Sequence, residues 1–277
     1  AIDIGGTRTT AAQQFAEVLG MPVEDVHPQV GDTESIGYTS MTGGSGAAFK
    51  TGWASYEAGQ DVKRQMLERA AILWETDVKN VELVDGVFQF SKDPELKATF
   101  KELAAALSNT GGPVFGRANV APTTSGSAFA ANIVDLEVDP DTGAVKLLRY
   151  IGVDDVGNVI NPMIVDGMVH GGVAQGVAQA LQEEAVYDES GQLLSGSMMD
   201  YAVPTAEEFP MYETDRTVTP TSVNPLGVKG AGETGTIAAS PAVINAVVDA
   251  LSPFGVRHID MPAKPETVWR AIQTAKG

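Results

Sequence analysis

The 277 residues suffice for one large domain or two smaller ones. Hydrophobic side chains make up 43%, enough for a sizeable core, and cysteine is absent, which excludes disulfides, cysteine nucleophiles, zinc–cysteine sites and iron–sulfur ligation by this chain. A formal net charge of −18 argues against a nucleic-acid or anionic-membrane surface and predicts an acidic cytoplasmic protein.

The chain opens on Ala1-Ile2-Asp3-Ile4, which has the character of mid-strand, with neither an initiator Met nor a signal-like start. This opening predicts a piece of a longer polypeptide, or a subunit completed by a partner. Gly5-Gly6-Thr7 follows and predicts a turn into a helix near 10–20. Thr42-Gly43-Gly44-Ser45-Gly46 predicts a second turn, into a long helix ending near Trp74. Within it Ala54, Ala58, Val62, Met66 and Ala70 repeat every four residues, as an amphipathic helix requires. Residues 132–138 and 145–153 are rich in β-branched side chains and flank Asp139-Pro140-Asp141-Thr142-Gly143, predicting a hairpin. Gly171-Gly172 stands at the head of a segment running to Leu181 and reads as a third glycine turn. Residues 185–187 and 192–194 flank Ser190-Gly191, a second hairpin. The stretch 202–226 carries four prolines and reads as an extended surface or active-site loop. Gly230-Ala231-Gly232-Glu233-Thr234-Gly235 then precedes a helix near 240–251. No run approaches the roughly 18 apolar residues that cross a membrane, and no fixed repeat period is present. The mixture predicts an α+β fold with sheets that are not purely parallel.

A helix N-terminus offers unpaired N–H groups and about half a positive charge, and glycine there lets a ligand approach the backbone. Four such turns could converge on one large anionic cofactor, although each alone could simply reverse the chain. Residues 230–235 also match the dinucleotide fingerprint G-x-G-x-x-G, with Asp260 downstream as a ribose-binding acid. Against that reading, the strand–helix repeats of such a domain have little room beyond residue 235, and the Glu233 carboxylate would repel a pyrophosphate. The same carboxylate suits a base projecting from the turn, its pKa raised by burial and by anionic cofactor groups; the alternative is a surface Glu on a loop. His27, His170 and His258 are far apart, lack paired metal spacing and read as structural.

Residues 225–236, reading PLGVKGAGETGT, are very similar to the C-terminal signature of molybdenum hydroxylase large subunits, the xanthine oxidase family. The resemblance continues through 240–247, His258-Ile259-Asp260-Met261-Pro262-Ala263 and Val268-Trp269-Arg270-Ala271-Ile272. Upstream it includes Asn161-Pro162, the block GMVHGGVAQGVAQAL at 167–181, Glu183-Glu184, Tyr187, Gly196-Ser197 and Asp200-Tyr201. It is dense over 145–272 and looser over 1–60, where Gly5 to Thr10, 16–19, Gly31-Asp32-Thr33 and Gly43-Gly44-Ser45 carry it in order. Residues 75–112 carry little of it. The subgroup it points to is the bacterial carbon-monoxide-dehydrogenase-like and aldehyde- or aromatic-hydroxylating enzymes.

The resemblance implies two α/β lobes, 1–125 and 126–277, with mixed sheets and Gly-rich molybdopterin-binding turns, the second lobe carrying the catalytic Glu. It implies hydroxylation of an aldehyde, N-heterocycle or related small substrate with oxygen from water, and Glu233 as the base. Gln175 matches the glutamine that contacts the pyranopterin. Gly43, Gly44, Ser45 and Gly46 match a turn that cradles the cofactor through backbone N–H groups. Gly5, Gly6 and Thr7 match a further cofactor loop, where many relatives carry Gln in place of Gly6, so that backbone contact is what remains here. Lys229, Gly230 and Gly232 complete the implied contacts. The implied cofactor is molybdopterin cytosine dinucleotide with molybdenum; no metal ligand is expected from the protein. Iron–sulfur clusters and FAD are expected on partner chains, an iron–sulfur subunit and a flavin subunit, and the N-terminal portion of the large subunit is expected to supply much of the substrate pocket. A dinucleotide (NAD or FAD) domain using Gly230–Gly235, and a non-catalytic scaffold of the same fold, are the alternatives.

Overall fold

In the computed structural model, residues 5–30, 32, 34, 41–123 and 126–277 are described. The predicted strand Ile2-Asp3-Ile4, and Gly31 and Thr33 of the looser resemblance, lie outside them. The chain divides into two compact units, Ala1–Gly126 with Thr221–Val228, and Ser127–Pro220 with Lys229–Gly277.

In the first unit, α1 (Thr7–Leu19) begins on Gly6 and ends on Gly20, both left-handed, where a Cβ is disfavoured. A π-helical turn, Ala47–Gly52, leads into α2 (Trp53–Leu73). The predicted four-residue repeat is its inner stripe: Val62, Met66 and Ala70 are buried, Ala54 and Ala58 half-buried. Residues 81–99, unassigned by the sequence pattern, form an antiparallel meander of β1 (Val81–Val84), β2 (Val87–Phe90) and β3 (Asp93–Thr99). Asp85 and Gly86 make the β1–β2 turn at φ 48° and 76°, the backbone of a two-residue hairpin loop. A Cβ on Gly86 would lie 2.0 Å from the Gly20 carbonyl oxygen, so this turn packs directly on the end of α1. Thr99 and Glu102 form a capping box that starts α3 (Phe100–Ala105). Leu19, Met66, Phe88 and Leu103 are fully buried between these elements.

In the second unit, β4 (Phe129–Val138) and β5 (Val145–Asp155) form the predicted hairpin. β6 (Glu213–Thr217) lies parallel to β5, giving a mixed three-stranded sheet. Parallel pairing needs a crossover, and α4 (Pro162–Leu181) lies within it. Arg149 grips Glu213 with two hydrogen bonds of 2.6 and 2.8 Å across the β5–β6 pair. Helices α5 (Thr234–Leu251) and α6 (Pro265–Ala275) complete the unit. Its core is a valine-rich cluster of Val169, Val173 and Val177 from α4, Val243 and Val247 from α5, and Val268 from α6.

Three expectations change. Gly171 and Gly172 do not head a helix: Asn161 caps α4 by accepting from the Ile164 amide, Pro162 sits at the first position, and the glycines fall mid-helix. Residues 202–226 are not all loop, since they hold a 3₁₀ turn, Ala206–Glu208, and strand β6, whose register is completed from β5. The segment Thr234–Phe254 is long and apolar enough, by length and composition, to cross a membrane; here Ala239, Val243, Val247 and Leu251 bury one face of it in the core. The hairpin about Ser190-Gly191 is present as one antiparallel bridge, Tyr187 to Leu193.

Candidate functional site

Glycine lets α4 and α5 touch backbone to backbone. A Cβ on Gly235 would lie 2.5 Å from the Val169 carbonyl oxygen, one on Gly172 2.9 Å from the Thr236 nitrogen, and one on Gly176 2.5 Å from the Ala239 Cβ. The contacts advance together along both helices, so α4 and α5 run parallel. The Ser240 hydroxyl fixes the register, 3.0 Å from the Gly176 carbonyl. The mid-helix glycines are therefore packing residues. Gln175 stands on α4 between Gly172 and Gly176 and is exposed. Gln179, one turn further on, lies 3.2 Å from Ser240. Glu233 is the N-cap residue of α5, two positions before Gly235.

The turn ahead of α5 is tied to the end of β5. Lys229 is buried, and its ammonium donates to Asp155 Oδ1 at 3.0 Å and to the Thr219 hydroxyl at 2.8 Å. Its amide donates to the Val156 carbonyl at 2.8 Å, and the Phe129 ring lies 5.2 Å from its Nζ. Burial alone would raise the Asp155 pKa. The Thr219 hydroxyl, the Gly157 amide and the Lys229 ammonium outweigh it and hold the carboxyl well below the usual carboxylate range. The neighbouring Asp154 is buried without a cation. Burial pushes its pKa up, with the facing Thr234 hydroxyl as a smaller opposing influence. Its Oδ1 has no hydrogen-bond partner. Nearby, the Tyr150 hydroxyl donates to Asn132 Oδ1 at 2.8 Å, and the Tyr212 ring stands edge-on to Tyr150 and His170 at 5.6 and 5.5 Å. Burial pushes the Tyr212 pKa up to about 12.

In the first unit, Gly5 and Gly6 have φ 81° and 74° and lead into α1, whose first turn carries no acidic side chain and no side-chain cap. Thr7, next in the chain, is buried and its hydroxyl has no partner. Gly44 and Ser45 are left-handed at φ 61° and 54°. No atom stands within 4 Å of the Cβ that Gly44 lacks, and only the Met41 methyl, at 3.8 Å, approaches that of Gly43. Gly46 closes the turn through its amide, 3.3 Å from the Gly43 carbonyl.

Glu233 and Gln175 thus sit on adjoining helices of one unit. Glu233 is exposed, so the expected burial is not seen among the described residues. The ammonium of Lys229, another expected contact, is engaged by Asp155 and Thr219. The dinucleotide fingerprint at 230–235 lacks its setting: no named strand leads into it, and the sheet of its unit is one antiparallel and one parallel pair. Asp260, its ribose acid, is exposed beside His258 at 3.0 Å. Sequence reasoning missed Asp154, Asp155 and Thr219. The available signal was a doubled acid closing an apolar, β-branched strand, a place where charge needs a reason.

Residues 1–210 match the family described as the molybdopterin cofactor-binding domain. The chain is 36% identical over 270 residues to the carbon monoxide dehydrogenase large chain of Afipia carboxidovorans, covering 96% of this chain and 33% of that one. It is 36% identical over 276 residues to the nicotine 6-hydroxylase large subunit of Paenarthrobacter nicotinovorans, covering 97% and 34%. The crystal structure of a Cu,Mo-CO dehydrogenase in its carbon-monoxide-reduced state superposes with a TM-score of 0.93 at 35% identity, covering 99% of this chain and 35% of that one. The chain spans about a third of the length of the curated relatives it matches.

Proposed function

The chain belongs to the molybdopterin cofactor-binding domain family, and from that membership we propose that it is the cofactor-binding, catalytic part of a molybdenum-dependent hydroxylase. Its residues fit such a cofactor. The Gly5–Thr7 turn aims backbone N–H groups and the unpartnered, buried Thr7 hydroxyl at the head of α1, a setting that receives phosphate or a pterin carbonyl. At Gly43, Gly44, Ser45 and Gly46 the space a side chain would fill is open at the first two positions, which lets a flat ring system approach the main chain. When bound, the molybdenum cofactor would supply the redox chemistry that inserts oxygen from water into a substrate carbon.

The chain's own contribution is binding and proton transfer. Gln175, exposed on α4, offers amide donors and an acceptor to the pyranopterin. Gly230 and Gly232 keep the turn ahead of α5 clear of side chains, and Lys229 serves it through its internal pair with Asp155. Glu233 takes a proton at a carboxylate oxygen from the attacking water, the task of a general base. The substrate class is a small aldehyde, N-heterocycle or related molecule, of which the N-heterocycle is supported by the name of the nicotine 6-hydroxylase relative. The cofactor form we assign is the cytosine dinucleotide, which the bacterial subgroup implies. The N-terminal portion of the large subunit would cover Glu233. Iron–sulfur and flavin subunits would carry electrons away, and the cytoplasm is the assigned compartment; names such as "large chain" and "large subunit" support smaller partners.

The observation that carries this reading is Glu233 at the head of α5, on a turn fixed at Lys229, with Gln175 on the adjoining helix. Glu233→Gln in the purified full assembly is expected to lower turnover by about 10²–10⁴ while molybdenum content stays near the parent value. Loss of metal in that variant would make Glu233 structural, and a parent assembly without molybdenum would make the chain a scaffold.

A further inference from the structure

We propose that Asp155, the last residue of β5, is a positioning residue that anchors the turn presenting Glu233; this rests on Glu233 being the base. Its Oδ1 accepts from the Lys229 ammonium at 3.0 Å, and the Lys229 amide adds a main-chain bond to Val156 at 2.8 Å. At the far end of the turn the Thr234 hydroxyl donates to the Ala231 carbonyl at 3.1 Å.

Between Lys229 and Thr234 run Gly230, Ala231, Gly232 and Glu233. Three of the four carry at most a methyl group, so the stretch has little of its own to fix it, and glycine loses the most freedom on ordering. A base must be held to within about 1 Å to keep its rate, a tolerance that unclamped glycine turns do not meet. Thermal stability alone does not explain the arrangement. A buried ion pair is commonly replaceable by apolar side chains at no loss of stability, whereas only the pair sets the distance and direction of the link. Asp155 is 5% exposed, so it is not placed to meet substrate directly.

The test uses the assembled holoenzyme, with turnover followed by reduction of a dye acceptor on an aldehyde or N-heterocycle that the parent oxidises. The double variant Asp155→Leu/Lys229→Met removes both charges together. It is expected to keep its thermal midpoint and molybdenum content, to lose at least tenfold in kcat with KM unchanged, and to show at least tenfold faster hydrogen exchange at the amides of residues 233–237. Should the double variant fail to assemble, Thr219→Val loosens the same anchor without stranding a charge and carries the same kcat and exchange readings. Parent-like kcat and exchange in these variants would overturn the clamp while leaving the base assignment intact. A parent-like Glu233→Gln would instead overturn the base assignment, and the exchange readings would still decide whether the turn is clamped.

Discussion

Replacing Gly235 by alanine should destabilise the protein, against the ordinary helix rule. In a helix interior, Gly→Ala usually stabilises by about 0.5–1 kcal/mol. Here the new Cβ would lie 2.5 Å from the Val169 carbonyl oxygen and 3.1 Å from both the Val169 Cα and the Val173 nitrogen. All three are backbone atoms of α4, so no rotamer change relieves the clash. Reaching ordinary contact near 3.4 Å requires the two helices to separate by roughly 0.9 Å at this level. Overpacking of this kind costs about 1–3 kcal/mol, which outweighs the propensity gain. The lift also moves Glu233, two residues away, by a distance that typically costs about a hundredfold in rate. Thermal unfolding and steady-state kinetics of the assembled protein measure both effects. Gly167→Ala is the control: it lies on α4 with no atom within 4 Å of its missing Cβ, and should be neutral or stabilising. If Gly235→Ala raised the unfolding midpoint as Gly167→Ala does, the backbone contact between α4 and α5 would be refuted.

Gln175→Ala should lower molybdenum cofactor content after gel filtration with little change in thermal midpoint; unchanged content counts against the contact. Tyr150→Phe removes the buried donor to Asn132 Oδ1 in a part-buried hydrogen bond where Asn132 Nδ2 already lacks a partner, and should cost about 1 kcal/mol in denaturant titration. Asp155→Asn strands the Lys229 ammonium and should cost about 3–5 kcal/mol at neutral pH. Because the folded-state pKa of Asp155 is depressed, the parent's advantage is fully present above the unfolded carboxylate value of about 3.9 and is lost as pH falls below it. The stability gap between parent and variant should therefore close on acidification from pH 5 towards pH 2; a gap independent of pH would remove the ion pair as its source.

What was legible in the sequence was what local pattern decides. The stripe at Val62, Met66 and Ala70 and the turn at 139–143 emerge as drawn, because helical spacing and hairpin chemistry act within a few residues. The meander at 81–99 was legible too, at Asp85-Gly86, yet was passed over: its strands are four to seven residues long and half-exposed, so their alternation is weak. Strand β6 was hidden for a different reason. Its sequence, Glu-Thr-Asp-Arg-Thr, has no apolar side chain, and its order comes from pairing with β5 and from the Arg149–Glu213 bridge, a partner 64 positions away.

The site divides along the same line. Glu233, the proposed base, stands out because a carboxylate inside a glycine turn is locally odd. The glycines of α4 were seen but misread, since a turn glycine and a packing glycine look alike until the partner helix is known. Gly172 and Gly176 acquire their meaning only from Gly235 and Ala239, some sixty residues on. Asp155 is harder to read because its role is relational: the doubled acid that closes β5 signals a charge in need of a partner, but the partner, Lys229, arrives from 74 positions away and is buried with it. The residue proposed to perform chemistry, Glu233, stands out by breaking a local rule. The one proposed to hold it in place shows locally only that a charge is out of place, and which partner answers it is decided in three dimensions.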